Sequence, residues 1–383
     1  MNKFLKSLIV LMLALLVGLT AVACAEEGGK TEGKKGLLYK KINGVYTIYD
    51  YVDEGEGKTE LNIADYLEEG VDNVRIQTQV FNGNETIKKV IVPSTVTQID
   101  KGAFAGMKAL EELTIPFVGM TSYADVKVGV TADDPEDEIV KSVDSERTIA
   151  HLFGDGEYTE AAAIAVNYGT GSNQSVTCYV PITLEKITIK AEGEYKIPAC
   201  AFNGFNMPVE IAIEGNVTEI GAYAFAGATQ INAIKLPATI TKIHEGAFSG
   251  ASNLKNINFN ELTALTEISE KAFANTGLVD VVIPANVQKI GNEAFKDCAK
   301  LVSVKLSDKT TSIGNFAFYN SVKLEKVYTD GITDLTIGNY AFADCNRLTY
   351  VGAEANFAGD TLYVNGFTVG VNAFETDKDY QIK

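Results

Sequence analysis

The sequence has no tryptophan, and its 383 residues include only two histidines and eight prolines. His151 and His244 alone leave little material for histidine-rich metal centres or imidazole-based triads. Cysteine is also scarce, and no pair among the five has zinc-ligand spacing. Cations are in deficit: 33 Lys and Arg stand against 50 Asp and Glu, a net charge of −17. Such a polyanion repels nucleic-acid phosphates and anionic bilayers unless a basic patch compensates, and none is visible. Beyond the N-terminus there is no apolar run of membrane-spanning length. What is present is a 46% hydrophobic composition with 18 Phe, 17 Tyr and 34 Gly. That excludes a disordered or collagen-like chain. Length alone favours two or three ordinary domains, an expectation that the repeats below replace.

Lys3 and Lys6 precede an apolar run from Leu8 to Leu19, then Ala21-Val22-Ala23 and Cys24. This is the order of a secretory signal peptide, over residues 1–23. Small residues followed by Cys resemble a bacterial lipoprotein box, which implies lipidation at Cys24. Ala21 stands where Leu is more usual, and ordinary cleavage after Ala23 or Ala25, giving a secreted protein, is the alternative. The Gly-, Glu- and Lys-rich stretch 24–36 reads as a tether. The expected protein is therefore extracytoplasmic and touches the membrane only through its lipid anchor.

Self-similarity is the dominant signal. Ala-Phe occurs nine times, with Phe at 104, 202, 225, 248, 273, 295, 318, 342 and 374, and Val80-Phe81 extends the series. From Phe202 to Phe342 the steps are 23, 23, 25, 22, 23 and 24 residues. An Ile or Val lies four residues before each Ala or Val of the pair: Ile76, Ile99, Ile197, Ile220, Ile243, Ile268, Ile290, Ile313, Ile337 and Val369. Each unit also carries an alternating apolar stretch, such as Leu301-x-x-Val304-x-Leu306. Pro93, Pro116, Pro237 and Pro284 close several of them. Alternation predicts a short strand, and proline its end. A unit of about 23 residues cannot bury its own apolar side chains, but stacked units can. The expected core is one-dimensional, with ladders of Leu, Ile and Phe. The Phe ladder is Phe81, Phe104, Phe202, Phe225, Phe248, Phe273, Phe295, Phe318, Phe342 and Phe374.

The stretch Val287-Gln288-Lys289-Ile290-Gly291-Asn292-Glu293-Ala294-Phe295-Lys296-Asp297-Cys298 resembles the BspA-like bacterial leucine-rich repeats. The likeness covers roughly residues 61–375. It implies a right-handed, β-rich leucine-rich repeat solenoid of about ten coils on a bacterial surface. It also implies a role in adhesion or host contact, with a protein or other macromolecule as ligand.

Residues 37–80 read as an N-terminal hairpin and capping coil, with Asn43-Gly44 as the turn. The solenoid then runs over 81–375, interrupted by an insertion at 117–183, and 376–383 form a tail. Phe104 to Phe202 spans 98 residues, and no Ala-Phe completes the coil begun at Leu110. The insertion carries an acidic run from Asp133 to Glu138. It lacks the glycine and final glutamate of a calcium loop, so it reads as a solvated loop.

No catalytic set, metal site or cofactor is expected. Ser252-Asn253-Leu254-Lys255 lies inside a repeat with Leu254 as core, and Gly154-Asp155-Gly156 lacks the third dinucleotide-loop glycine. His244 is expected on the surface and His151 in a structural setting. Cys298 and Cys345 share a repeat position about 10 Å apart, too far for a disulfide, whereas Cys178 with Cys200 is a possible pair. The residues flanking the middle apolar position of each strand point outward. Among them Lys305, Lys326, Tyr328 and Tyr350 cluster on the C-terminal coils as a candidate partner-contact face. The sequence therefore points to a non-enzymatic surface-binding protein, with a glycan- or solute-capturing lipoprotein as the alternative.

Overall fold

The computed structural model describes residues 36–52, 57–121, 145–168, 174–352, 363–364 and 367–375. The expected signal peptide 1–23, Cys24, nearly all of the tether, the acidic run 133–138 and the tail 376–383 lie outside the described residues.

The chain winds as a parallel β-solenoid. The second strand of each coil pairs with its counterpart so that Ile220, Ile243, Ile268, Ile290, Ile313, Ile337 and Val369 stand in one register row. Alongside this row the phenylalanines stack. Phe81 lies on Phe104, and Phe202 to Phe374 form a continuous run. Centroid spacing along that run is 5.0–5.4 Å, and the planes are within 16° of parallel. The spacing follows from the distance between hydrogen-bonded strands, about 4.8 Å.

The turn around each Ala-Phe needs two left-handed residues. One precedes the Ala: Cys200, Tyr223, Lys271, Glu293, Phe316 and Tyr340 have φ of 54–56°. The other follows the Phe by two. There Gly106, Gly204, Gly227 and Gly250 give way further down the solenoid to Asn275, Asp297, Asn320 and Asp344. Only residue types that tolerate positive φ occupy the second position. At the first, backbone bonds to the next coil hold even bulky residues. The Phe316 amide donates to the Asn339 carbonyl at 2.9 Å, and the Tyr340 amide to Val371 at 3.1 Å.

The cysteines are explained by the same turn. Cys298 Sγ donates to the Phe273 carbonyl at 3.2 Å, and Cys345 Sγ to the Phe318 carbonyl at 3.1 Å. Ser321 Oγ does the same to Phe295 at 3.0 Å. The slot therefore calls for a small donor that satisfies the buried carbonyl of the previous coil's phenylalanine. Cys178, Cys200, Cys298 and Cys345 are all buried thiols and none is in a disulfide, so Cys178 and Cys200 do not pair with each other. Burial pushes the Cys178 and Cys345 thiols up to about 12 and Cys298 up to about 11. These four cysteines will resist a thiol-alkylating reagent in the native protein and label fully in denaturant, as read by peptide mass spectrometry. Cys298→Ser should retain native stability, because Ser321 already makes the equivalent bond.

Two strands are unlike the rest. Lys186–Ile197 and Glu210–Ile220 run unbroken along both faces of their coils. They join the first-strand row of the N-terminal half to the second-strand row of the C-terminal half in one eleven-stranded sheet. Neither carries the proline that ends the strand at Pro93, Pro116, Pro237 or Pro284, so hydrogen bonding continues past the corner.

At the N-terminus Leu37–Ile42 and Val45–Tyr51 form an antiparallel hairpin turning at Asn43 and Gly44, and its second strand pairs with Val74–Ile76. Between the coils of Phe104 and Phe202, Glu112 pairs directly with Lys186, 74 positions further along the chain. The short helix Ile149–Phe153 stands in the turn's place. The Phe104 amide donates to Leu152 O at 3.1 Å, just as Phe225 donates to Ala247 at 2.7 Å. Leu152-Phe153 thus fills the slot where no Ala-Phe was found, with Phe153 fully buried. Ala161–Asn167 and Ser175–Pro181 add an antiparallel pair. No helix of the described residues is long and apolar enough to cross a membrane.

Candidate functional surfaces

Strands Ser303–Lys305, Lys326–Tyr328 and Tyr350–Gly352 belong to a five-stranded parallel sheet. Val304 and Val327 at their centres are fully buried, so Ser303, Lys305, Lys326 and Tyr328 beside them face outward. Register sets Lys305 beside Tyr328, and Lys326 between Ser303 and Tyr350. The four residues singled out from the sequence thus occupy two adjacent rows. Lys305 Nζ lies 3.8 Å from Asp330, an exposed pair of small energetic consequence.

A second aromatic group was not foreseen. Phe316 and Tyr340 hold the left-handed slot of successive coils, and their rings stack at 5.0 Å, 4° apart. Tyr319 meets Phe316 edge-on at 5.7 Å, with the Lys296 ammonium over its ring. All three rings are partly exposed. Their spacing in sequence carries the signal, since position x in x-Ala-Phe is aromatic in both coils.

His244 is not a free surface side chain. It is half-buried, with Nε2 2.7 Å from Glu219 Oε2, while Lys196 binds the other carboxylate oxygen at 3.1 Å. The side chain was misplaced because its slot carries Gly, Asp or Ser in other coils, and only cross-coil pairing brings Glu219 to it. A carboxylate-held imidazole is one half of a base–nucleophile arrangement. Among the described residues no hydroxyl or thiol bonds the ring, and no group of three or more His, Cys, Asp or Glu is placed to hold a metal. His151 is buried, with Nε2 3.0 Å from the Ile99 carbonyl, where it ties the short helix to the solenoid.

Burial lowers both imidazole pKa values, partly opposed by the Ile99 carbonyl at His151 and by Glu219 at His244. The unfolded chain then binds more protons than the native one near pH 6, so stability falls as pH drops through the ordinary imidazole value of about 6.5. The melting temperature should be lower at pH 5.5 than at pH 7.5. Carboxylates with lowered pKa, such as Glu219, contribute only at lower pH. A His151→Gln/His244→Gln variant should flatten the difference over this window.

A large cleft opens on the first-strand face. Its volume is about 1030 Å³, and Pro208, Ile211, Ile213, Ile231, Lys235 and Ile257 are among the residues lining it. None of its lining residues lies between positions 117 and 183.

Stacked coils of parallel strands around Leu, Ile and Phe ladders define a leucine-rich repeat solenoid. A family model described as BspA type Leucine rich repeat region matches residues 67–124, 175–282 and 266–359, in six copies, and the chain belongs to that family. Among solved structures, a leucine-rich repeat protein from Bacteroides ovatus ATCC 8483 is 19% identical over 89% of this chain and 90% of its own, with a TM-score of 0.39. The T. pallidum leucine-rich repeat protein is 26% identical over 43% of this chain and 82% of its own, with a TM-score of 0.30. A leucine-rich cell surface protein from Faecalibacterium prausnitzii A2-165 is 17% identical over 93% of this chain and 99% of its own, with a TM-score of 0.29. No curated protein matches the chain.

Proposed function

We propose that this is a non-enzymatic, cell-surface binding or adhesion protein that presents its solenoid to a protein partner. We place it outside the cytoplasm, held at the membrane through Cys24. The observation that carries the reading is the backbone register that sets Lys305, Lys326, Tyr328 and Tyr350 on adjacent rows of one sheet. Tyrosine with cations suits an interface, offering apolar area at low conformational entropy together with a polar tip. Export and a tether would suit display at a distance from the bilayer.

The test is pull-down of the full chain against host-matrix and bacterial-surface fractions. Changing Lys326, Tyr328 and Tyr350 together to Ala should weaken capture at least about tenfold, the size expected when a contact centre is truncated. Unchanged capture would remove this face from consideration. Glycan capture is the second reading, favoured by the half-exposed Phe316–Tyr340 stack and Tyr319. A glycan array on which Tyr340→Ala abolishes the hits would establish it. An array without hits would discard it.

A further inference from the structure

The cleft is a break in a sheet. From Glu60–Asn62 to Glu210–Ile220 the first strands pair without interruption. The next coil's strand, Ala233–Ile234, pairs only with Asn256–Ile257. Behind the break the same coils stay joined. Ile220 pairs with Ile243, and Phe225 stacks at 5.2 Å on both Phe202 and Phe248. The coils are therefore wedged apart on one face only. The cause is a change of path. Glu210–Ile220 continues straight through the corner, whereas Leu236-Pro237 turns there, so the two cannot stay in register along their whole length.

The wedge leaves strand 210–214 with an open edge. The Glu210 amide donates to Glu185 on the paired side. By the alternation of a strand, the amides and carbonyls of Ile211 and Ile213 point into the cleft. No backbone hydrogen bond crosses from them to residues 231–236. Such edges recruit another strand unless they are blunted.

The side chains specify which strand. Across the intact sheet one row reads Lys89, Glu112, Lys186, Glu210 in register, alternating in sign. Lys89 sits 3.7 Å from Glu112, and Lys186 2.7 Å from Glu210. A second row pairs Lys190 with Glu214. Both rows end on a carboxylate at the open edge, with Ala212 between them and Ile211 and Ile213 facing inward as buried residues. The paired side of this strand already shows its preferred neighbour: Lys186-Ile187-Thr188-Ile189-Lys190 lies residue for residue against Glu210-Ile211-Ala212-Ile213-Glu214.

We propose that the cleft is a strand-acceptor site, taking an extended peptide segment of a partner protein with the pattern basic–apolar–small–apolar–basic. Backbone pairing along Ile211 and Ile213 supplies affinity, and the edge carboxylates of Glu210 and Glu214 choose the sequence. The site lies on other coils than the Lys305–Tyr350 face and stands whether or not that face binds anything.

The probe is a labelled peptide with the sequence of residues 185–191, titrated into the full chain and read by fluorescence anisotropy. Saturable binding is expected. Three changes should each weaken it about fivefold or more: replacing both peptide lysines with glutamate, scrambling the peptide at constant composition, and Glu214→Lys in the protein, whose unchanged melting temperature shows that it folds. Methylating the alternate peptide amides that face the edge should abolish binding. Equal binding of the scrambled or methylated peptide would reduce the effect to bulk charge attraction and overturn the proposal. So would a dimer that the peptide fails to displace, which would assign the edge to a second copy of this chain.

Discussion

Replacing Phe295 with alanine will lower stability by about 3–5 kcal/mol, the range for truncating a fully buried phenylalanine. Phe295 has no exposed surface and is sandwiched between Phe273 at 5.4 Å and Phe318 at 5.3 Å. In a globular core, neighbours from several directions can relax into such a cavity. Here the rings above and below are held at strand spacing by backbone bonds of their own coils. The Phe295 amide itself bonds Ala317 at 2.7 Å, and the Phe273 amide bonds Ala294 at 2.8 Å. Collapse along the axis would break those bonds, so the cavity should persist. Phe374, at 7% exposure, stacks on Phe342, and its truncation should cost less. Urea unfolding of both variants would measure the difference. Equal losses would show that the ladder is not the dominant core element.

Gly215→Ala should be the second-largest effect, about 2–4 kcal/mol, although the residue buries no side chain. Gly215 has φ of +83°, which costs a residue with a β-carbon roughly 1–2 kcal/mol. A β-carbon there would also overlap the carbonyl oxygen of Ala191 on the adjacent strand. The residue sits where the register of the two long strands shifts, three residues of one passing opposite one of the other. Strain of this kind is among the few causes of large single-site losses. Gly193, with nothing near its would-be β-carbon, is the matched control and should tolerate alanine. Thermal melts would separate the two. The variant should also alter the cleft, because the bulge sets how strand 210–220 leaves the corner.

The period of the Ala-Phe pairs, the Ile four residues before them and the alternating Leu stretches were legible because a stacked repeat repeats its core in sequence. The Lys305, Lys326, Tyr328 and Tyr350 rows were legible for the same reason, since equivalent positions in neighbouring units lie side by side. The Phe316–Tyr340 stack obeys this rule too, although its residues lie in the turns and outside the alternating strand pattern. His244 was misplaced because its partner Glu219 depends on which coil-to-coil neighbour approaches. Leu152-Phe153 was not legible as a ladder unit because the turn there is a short helix, with no Ala-Phe or local repeat to mark it.

The one-dimensional core, its approximate coil count and its ladder residues were thus set by the sequence alone, through nearest-neighbour stacking of like on like. What only the tertiary structure decided is how the faces of successive coils connect: the two strands that run through their corners, the sheet they fuse and the wedge that opens beyond them. That difference is physical. Ladder stacking depends on identity at matched positions, which a sequence displays directly. The path of a coil around its corner depends on whether neighbouring backbones can keep hydrogen-bond register, and only a bulge at Gly215 meeting a turn at Pro237 settles that.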